Sequence, residues 1–242
     1  MPKGEIEIHP FLAKGITKNA KKLILGSFPV YAITKPDNEK KREIRFVNSF
    51  VHFFYGSCYN HFWGLYRLYI DHNINLPVNI NQIIKSLNDN KIAISDTIYS
   101  CERNNFSSLD KDLIKRVYNR DIIEKLIKKG VNKILCTSKG VLYDLEKQII
   151  SKKNKSFGLV DKKASFELQN KFIKSINGDV NQVSKPISII FIIGGKKIEA
   201  LAIPSPGSPQ RKIKQFGFNG IDSEVFISNY FENAFNWLNT DN

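Results

Sequence analysis

Strand-like and helix-like segments alternate along the 242 residues, which predicts an α/β chain: a three-layer α/β/α sandwich around a short, mainly parallel central sheet. Three observations carry this. Apolar runs rich in β-branched residues recur, segments of helical period lie between them, and a polar or Gly/Pro-containing turn follows each run. Alternation of this kind places parallel strands at the centre and helices on both faces.

The strands read as Lys22 to Phe28, Lys91 to Thr97 and Val131 to Thr137. A fourth run, Ile187 to Ile193, meets Gly194-Gly195 and then Lys196 to Pro204, the pattern of a hairpin on a glycine turn. Helical spacing appears in Phe62 to Ile70, Asn81 to Leu87, Asp121 to Lys129 and Lys139 to Ile150. Gly130 stands where a glycine ends a helix well. From Ser223 to Leu238 the apolar residues Val225, Phe226, Ile227, Tyr230, Phe231, Ala234, Phe235 and Leu238 share one face of an amphipathic closing helix. The polar stretches Lys35 to Arg45 and Ser151 to Ser184 read as insertions, the longer one solvated. With no internal repeat and no break in composition, residues 1–242 are expected to form a single domain.

Composition narrows the function classes. With 42% hydrophobic and 12% aromatic residues the chain builds a core, which excludes a disordered tail. No apolar run approaches the ~20 residues of a membrane span, and the first ten residues lack the apolar stretch of a leader peptide, so a cytoplasmic protein that avoids the membrane is expected. Three widely spaced cysteines and four histidines offer neither a disulfide framework nor a metal site, and Cys136 reads as a small buried hydrophobe. Against 23 acidic residues stand 37 basic ones, a net charge of +14. Such a surface concentrates polyanions, nucleic acid first among them, although an AT-rich gene produces the same lysine and asparagine enrichment without functional demand.

In an open parallel sheet, ligands bind beyond the carboxyl ends of the strands. Three clusters occupy those ends. Gly26-Ser27-Phe28-Pro29 offers exposed backbone N–H groups and an aromatic face for a flat heterocycle. Asp96 ends the second strand, ahead of Ser100-Cys101-Glu102-Arg103. Pro204-Ser205-Pro206-Gly207-Ser208-Pro209 is a stiff loop whose hydroxyls and N–H groups suit phosphate oxygens, with Arg211, Lys212 and Lys214 following. Between the first two strands lies Tyr59-Asn60-His61-Phe62-Trp63, at the end of the aromatic run from His52 to Gly56. Asn60 there suits a pocket that stacks a base and holds a water, while Phe62 and Trp63 suit the core.

On four islands in order, Leu23 to Pro29, Asn60 to Trp63, Asp96 to Asp110 and Pro204 to Pro209, the sequence resembles the uracil-DNA glycosylase superfamily, and most of all its hypoxanthine (deoxyinosine) DNA glycosylase branch. The resemblance spans about a quarter of the chain. It implies a monomeric enzyme that flips a deaminated base, hypoxanthine or uracil, out of DNA and hydrolyses its N-glycosidic bond without metal or other cofactor. It implies catalytic roles for Asn60 and Ser27, with Asn60 acting on the attacking water. Gly26 and Phe28 would form the base pocket, and Asp96 would read the base edge. Ser205 and Ser208 would grip the phosphate backbone, with Lys212 beside them and Gln210 or Arg211 wedging into the gap left by the flipped nucleotide. An ionised Asp96 accepts hydrogen bonds only, so it favours a base presenting a donor. Two other readings stand beside this one: removal of a bulkier base such as a hypermodified cytosine of phage DNA, as a defence, and a catalytically silent DNA-binding relative.

Overall fold

The computed structural model describes residues 5–30, 34, 51–57, 60–104, 109–151, 157–220 and 222–240, apart from the side chain of Lys212. In chain order the elements are β1 (Ile6–Ile8), β2 (Lys22–Gly26), α1 (Phe62–Tyr69), α2 (Ile80–Asp89), β3 (Ile92–Asp96), β4 (Ile98–Arg103), β5 (Leu113–Tyr118), α3 (Arg120–Lys128), β6 (Lys133–Cys136), α4 (Lys139–Asp144), β7 (Leu159–Asp161), α5 (Lys162–Ser175), β8 (Ser188–Ile193), β9 (Lys196–Ala202) and α6 (Ser223–Asn239).

Six strands form the main sheet in the order β3-β2-β6-β9-β8-β7. The first four run parallel, and β8 and β7 complete the sheet antiparallel. Every residue of β3 and β6 is buried. A strand buried on both faces needs cover on both, which is the α/β sandwich expected from the alternation. The β8–β9 hairpin turns on Gly194 and Gly195, whose φ of 53° and 77° are the left-handed values a two-residue turn requires.

Helix starts follow local chemistry. Asn79, Ser138, Asp161 and Asp222 each accept a backbone N–H from the first turn that follows them. On α3, Ile123, Leu126 and Ile127 make the buried stripe that the spacing predicts. The closing helix α6 buries Phe226, Tyr230, Phe231, Ala234, Phe235 and Leu238. Phe235 packs on Phe62 and Tyr69 of α1, with ring centroids 6.2 and 5.8 Å apart. The buried ammonium of Lys133 reaches the carbonyls of Trp237 and Thr240 at 2.8 and 2.6 Å, capping the end of α6 where the helix dipole favours a cation.

Two expectations are corrected. Within the stretch Ser151 to Ser184, residues 157–184 are part of the sandwich: β7 pairs with β8, and α5 lies on β8. The buried stripe of α5 is thin, with only Ser165, Phe172 and Ile173 buried along 14 residues, so the segment reads as polar. Ser165 is buried because its hydroxyl accepts the Ile190 N–H at 2.7 Å. The segment Lys139 to Ile150 is α-helical only to Asp144 and continues as a π-helical turn through Ile150. Residues 35–45 lie outside those described.

A second sheet, β1-β4-β5, is antiparallel and has no counterpart in the sequence reading. The chain passes into it at Thr97, whose N–H bonds to the Gly26 carbonyl at 2.8 Å while Ile98 N–H bonds to Ser27 O at 3.0 Å. The carboxyl ends of β2 and β3 therefore lie where the two sheets meet.

Candidate functional site

The register aligns the strand ends. Gly26 pairs with Asp96, Leu25 with Cys136, and Cys136 with Ala202, so four parallel strands finish along one edge. Ser27, Thr97, Thr137 and Ile203 continue from that edge. The structure thus brings Gly26, Ser27 and Asp96 together. Ser205 is on the same edge but two strands over from β2, about 10 Å at the usual strand spacing.

Asp96 is 3% exposed and is held at its backbone carbonyl and at one carboxylate oxygen. Its carbonyl accepts the side-chain N–H of buried Asn119 at 3.0 Å. Its Oδ2 lies 2.7 Å from Nε2 of His9, whose side chain is fully buried just beyond β1. The tautomer follows from a second contact: the backbone N–H of Phe11, which can only donate, meets Nδ1 of His9 at 3.1 Å. Nδ1 is the acceptor, Nε2 carries the proton, and His9 donates to Asp96. The other oxygen, Oδ1, is buried without a hydrogen-bond partner.

Next to it lies a second buried orphan, the Tyr55 hydroxyl. Both oxygens reach the space in front of Gly26, where an added methyl would collide with each. Glycine is required there because those polar atoms take the place of a side chain. Burial, reinforced by the Asp96 carboxylate and Cys136, holds the Tyr55 phenol well above its ordinary range; the nearby Thr137 hydroxyl pulls weakly the other way but gives its own proton to the Leu25 carbonyl at 3.3 Å. The Tyr55 group is a neutral hydroxyl. Buried polar atoms in this state cost free energy unless a partner arrives, and two of them lie together in front of Gly26.

Ser27 is half-buried, and its hydroxyl donates to Asp110 Oδ1 at 2.7 Å. Asp110 opens a short 3₁₀ turn, Asp110–Asp112, between β4 and β5, and its backbone carbonyl accepts from Arg116. Asp110 is exposed to solvent, with protein atoms around its carboxyl. Desolvation pushes its pKa up, against the pull of the Ser27 hydroxyl and Arg116.

Phe28 is 8% exposed. Its ring packs with Ile98, Cys101 and Leu113, meets His9 edge-on at 5.5 Å, and lies under the Arg103 guanidinium at 5.9 Å. Arg103 in turn holds Glu7 at 3.1 Å and the Pro29 carbonyl at 2.9 Å. Phe28 is therefore a wall between the two sheets, one ring from Asp96.

Asn60 lies just before α1, its Oδ1 accepting the Phe62 N–H at 3.0 Å, a local turn that starts the helix. The Phe62 ring is 4.4 Å from that of Tyr55, so Asn60 is joined to the Gly26 edge through two rings. Past β9, the Ser208 N–H closes onto Ser205 O at 3.0 Å in a tight turn that exposes Ser205 and Ser208, and Gln210 and Arg211 are exposed in the first turn of the 3₁₀ helix that follows, Pro209–Phe216. Buried Ile213 and Phe216 anchor the following 3₁₀ helix, and Lys139 over the Phe216 ring at 4.6 Å ties it to α4. The Lys212 side chain lies outside the described residues.

Sequence reasoning gave no site role to His9, Tyr55 or Asp110, although Asp110 ends the third island of the resemblance. The alternation Glu5-Ile6-Glu7-Ile8 marks the short strand leading to His9 but not its partner, and Tyr55 sits in a run of aromatic residues that reads as core. A shallow depression of about 430 Å³ is lined by Val51, His52, Val78, Asn79, Ile80 and Asn81 and by none of these three residues. Among the described residues no group of three or more His, Cys, Asp or Glu is placed to hold a metal, and no helix is long and apolar enough to cross a membrane. Compared with family models, curated proteins and solved structures, the chain matches none.

Proposed function

We propose that the protein is a monofunctional DNA glycosylase acting, as a cytoplasmic monomer, on a base that presents an N–H donor, with hypoxanthine and uracil as the leading substrates. One observation carries this reading. At the ligand-binding edge of the sheet, Asp96 is buried with one oxygen fixed by His9 and the other unpartnered beside Gly26 and the Tyr55 hydroxyl. An acceptor and a neutral hydroxyl side by side complement the N–H and C=O that neighbour each other on the edge of hypoxanthine or uracil. A buried acceptor discriminates because a ligand lacking the donor leaves it unpaired.

Loss of the base leaves an oxocarbenium-like sugar and puts negative charge on the base. The Tyr55 hydroxyl suits the second charge, carboxylates near the strand ends suit the first, and a dry pocket strengthens both effects. Ser205 and Ser208 on the exposed turn, with Gln210 and Arg211 at the helix start after it, suit DNA phosphates, and the net charge of +14 favours a polyanion.

The test is a product assay. Duplexes containing deoxyinosine, deoxyuridine or a hypermodified cytosine are incubated with the protein and treated with alkali to reveal abasic sites. Strand cleavage at deoxyinosine or deoxyuridine is expected, cleavage at the modified cytosine alone would favour the bulkier substrate, and cleavage at none would overturn the enzyme reading. A salt titration of DNA binding accompanies it, with affinity falling steeply as ionic strength rises.

A further inference from the structure

Resting on the glycosylase reading, we infer that Asp110 is the catalytic base of the site, taking the proton from the water that attacks the sugar carbon, with Ser27 as its positioning residue. The chemistry of hydrolysis asks for such a group. When the C1′–N bond breaks, its electron pair leaves with the base and C1′ becomes electron-poor. A water oxygen then bonds to C1′ and must lose a proton. That proton passes to Asp110 and on to solvent, while the departing base takes one from solvent.

Asn60 does not fill this role, because a neutral amide orients water but does not take up its proton, and its Oδ1 already accepts the Phe62 N–H at 3.0 Å. Ser27 does not fill it alone, since its hydroxyl proton is committed to Asp110 Oδ1 at 2.7 Å. Three other carboxylates of the region are buried. Asp96 accepts from His9 and is buried, Glu7 is locked to Arg103 and Thr34, and Asp144 faces Tyr118 at 3.3 Å and Arg116 at 3.7 Å.

Three features together favour Asp110. Ser27 fixes one oxygen at the end of β2, beside Gly26. The other oxygen carries no hydrogen bond among the described residues. Solvent reaches the residue although protein surrounds it. A fixed carboxylate with one open oxygen, one residue from the ligand edge, has the geometry for a general base. Its negative charge also stabilises the cationic sugar. Crowding that raises its pKa strengthens it as a base at neutral pH.

The experiment measures single-turnover base release against pH for the native protein and for Asp110→Asn, on whichever duplex the native protein cleaves. The asparagine keeps an oxygen for the Ser27 hydroxyl, so the fold is retained, and DNA affinity checked in parallel is expected to hold within about twofold because phosphates dominate it. For the native protein the rate is expected to climb tenfold per pH unit on the acid side and then level off, as one ionisation requires. In Asp110→Asn the plateau rate is expected to fall by about 100-fold or more, and the acid limb is expected to vanish. Retention of the native rate, or of the acid limb, in Asp110→Asn would overturn the inference while leaving the glycosylase reading intact. Absence of base release by the native protein would overturn both.

Discussion

His9 donates its Nε2 proton to Asp96 Oδ2 across 2.7 Å, a direction fixed because the Phe11 N–H occupies Nδ1. This link joins residues 87 apart in sequence and decides which way Asp96 faces. In Asp96→Asn, the carbonyl oxygen of the amide remains the acceptor for His9, so the NH₂ group turns toward Gly26. An N–H donor on the base would then meet another donor. Base release from a deoxyinosine or deoxyuridine duplex is expected to fall by about 10- to 100-fold or more, the cost of one unpaired buried polar group. DNA affinity measured by filter binding is expected to stay near the native value.

Gly26 leaves room for the two orphan oxygens. Ala at this position must displace Asp96 Oδ1 and the Tyr55 hydroxyl together, and Asp96 is pinned through His9 and Asn119. Gly26→Ala is expected to abolish base release and to lower stability by about 1–3 kcal/mol, the range for overpacking a dense interior. Urea denaturation followed by circular dichroism reads the second effect, and the alkali assay reads the first.

How far the sequence disclosed this site depends on the range of each interaction. Local periodicity sufficed for the four parallel strands and for α1, α2, α3 and α6, because each shows a full buried stripe or run. It failed for α5, which buries only three of its 14 residues, and for the sheet β1-β4-β5, whose first strand has three residues. Position after a strand was enough to single out Gly26, Ser27 and Asp96, which the register brings together. Nothing local marks His9 as the partner of Asp96 or Asp110 as that of Ser27, since those pairs exist only once the chain has crossed between sheets.

Asp110 links stability to pH with a definite sign. Its pKa is raised in the folded protein by desolvation, so between the unfolded and folded values the native state holds more protons than the unfolded chain. Stability from this group is therefore lost as pH rises through that window, and the ionised carboxylate opposes folding at neutral pH. Asp110→Asn removes the charge and keeps the acceptor for Ser27. Its denaturation midpoint at pH 7 is expected to exceed that of the native protein, with the difference shrinking toward acid pH. A lower midpoint at pH 7 would contradict the crowding assigned to this carboxyl.

Arg103 and Glu7 form an ion pair whose side chains are 3% and 4% exposed, and Arg103 also holds the Pro29 carbonyl and covers the Phe28 ring. Removing one charge strands the other in the interior. Arg103→Ala is expected to cost about 3–5 kcal/mol in chemical denaturation. A smaller change accompanies Lys115→Ala, since that ion pair with Glu102 has an exposed ammonium.

The most direct measurement alters the substrate in place of the protein: single-turnover base release from a duplex containing deoxyinosine, compared with one containing N1-methyldeoxyinosine. The two differ in the N–H that Asp96 Oδ1 is placed to accept. Release of hypoxanthine with the methylated base retained, slower by about 100-fold or more, is the predicted result. Equal release of both bases, or release of neither, would contradict the role of Asp96.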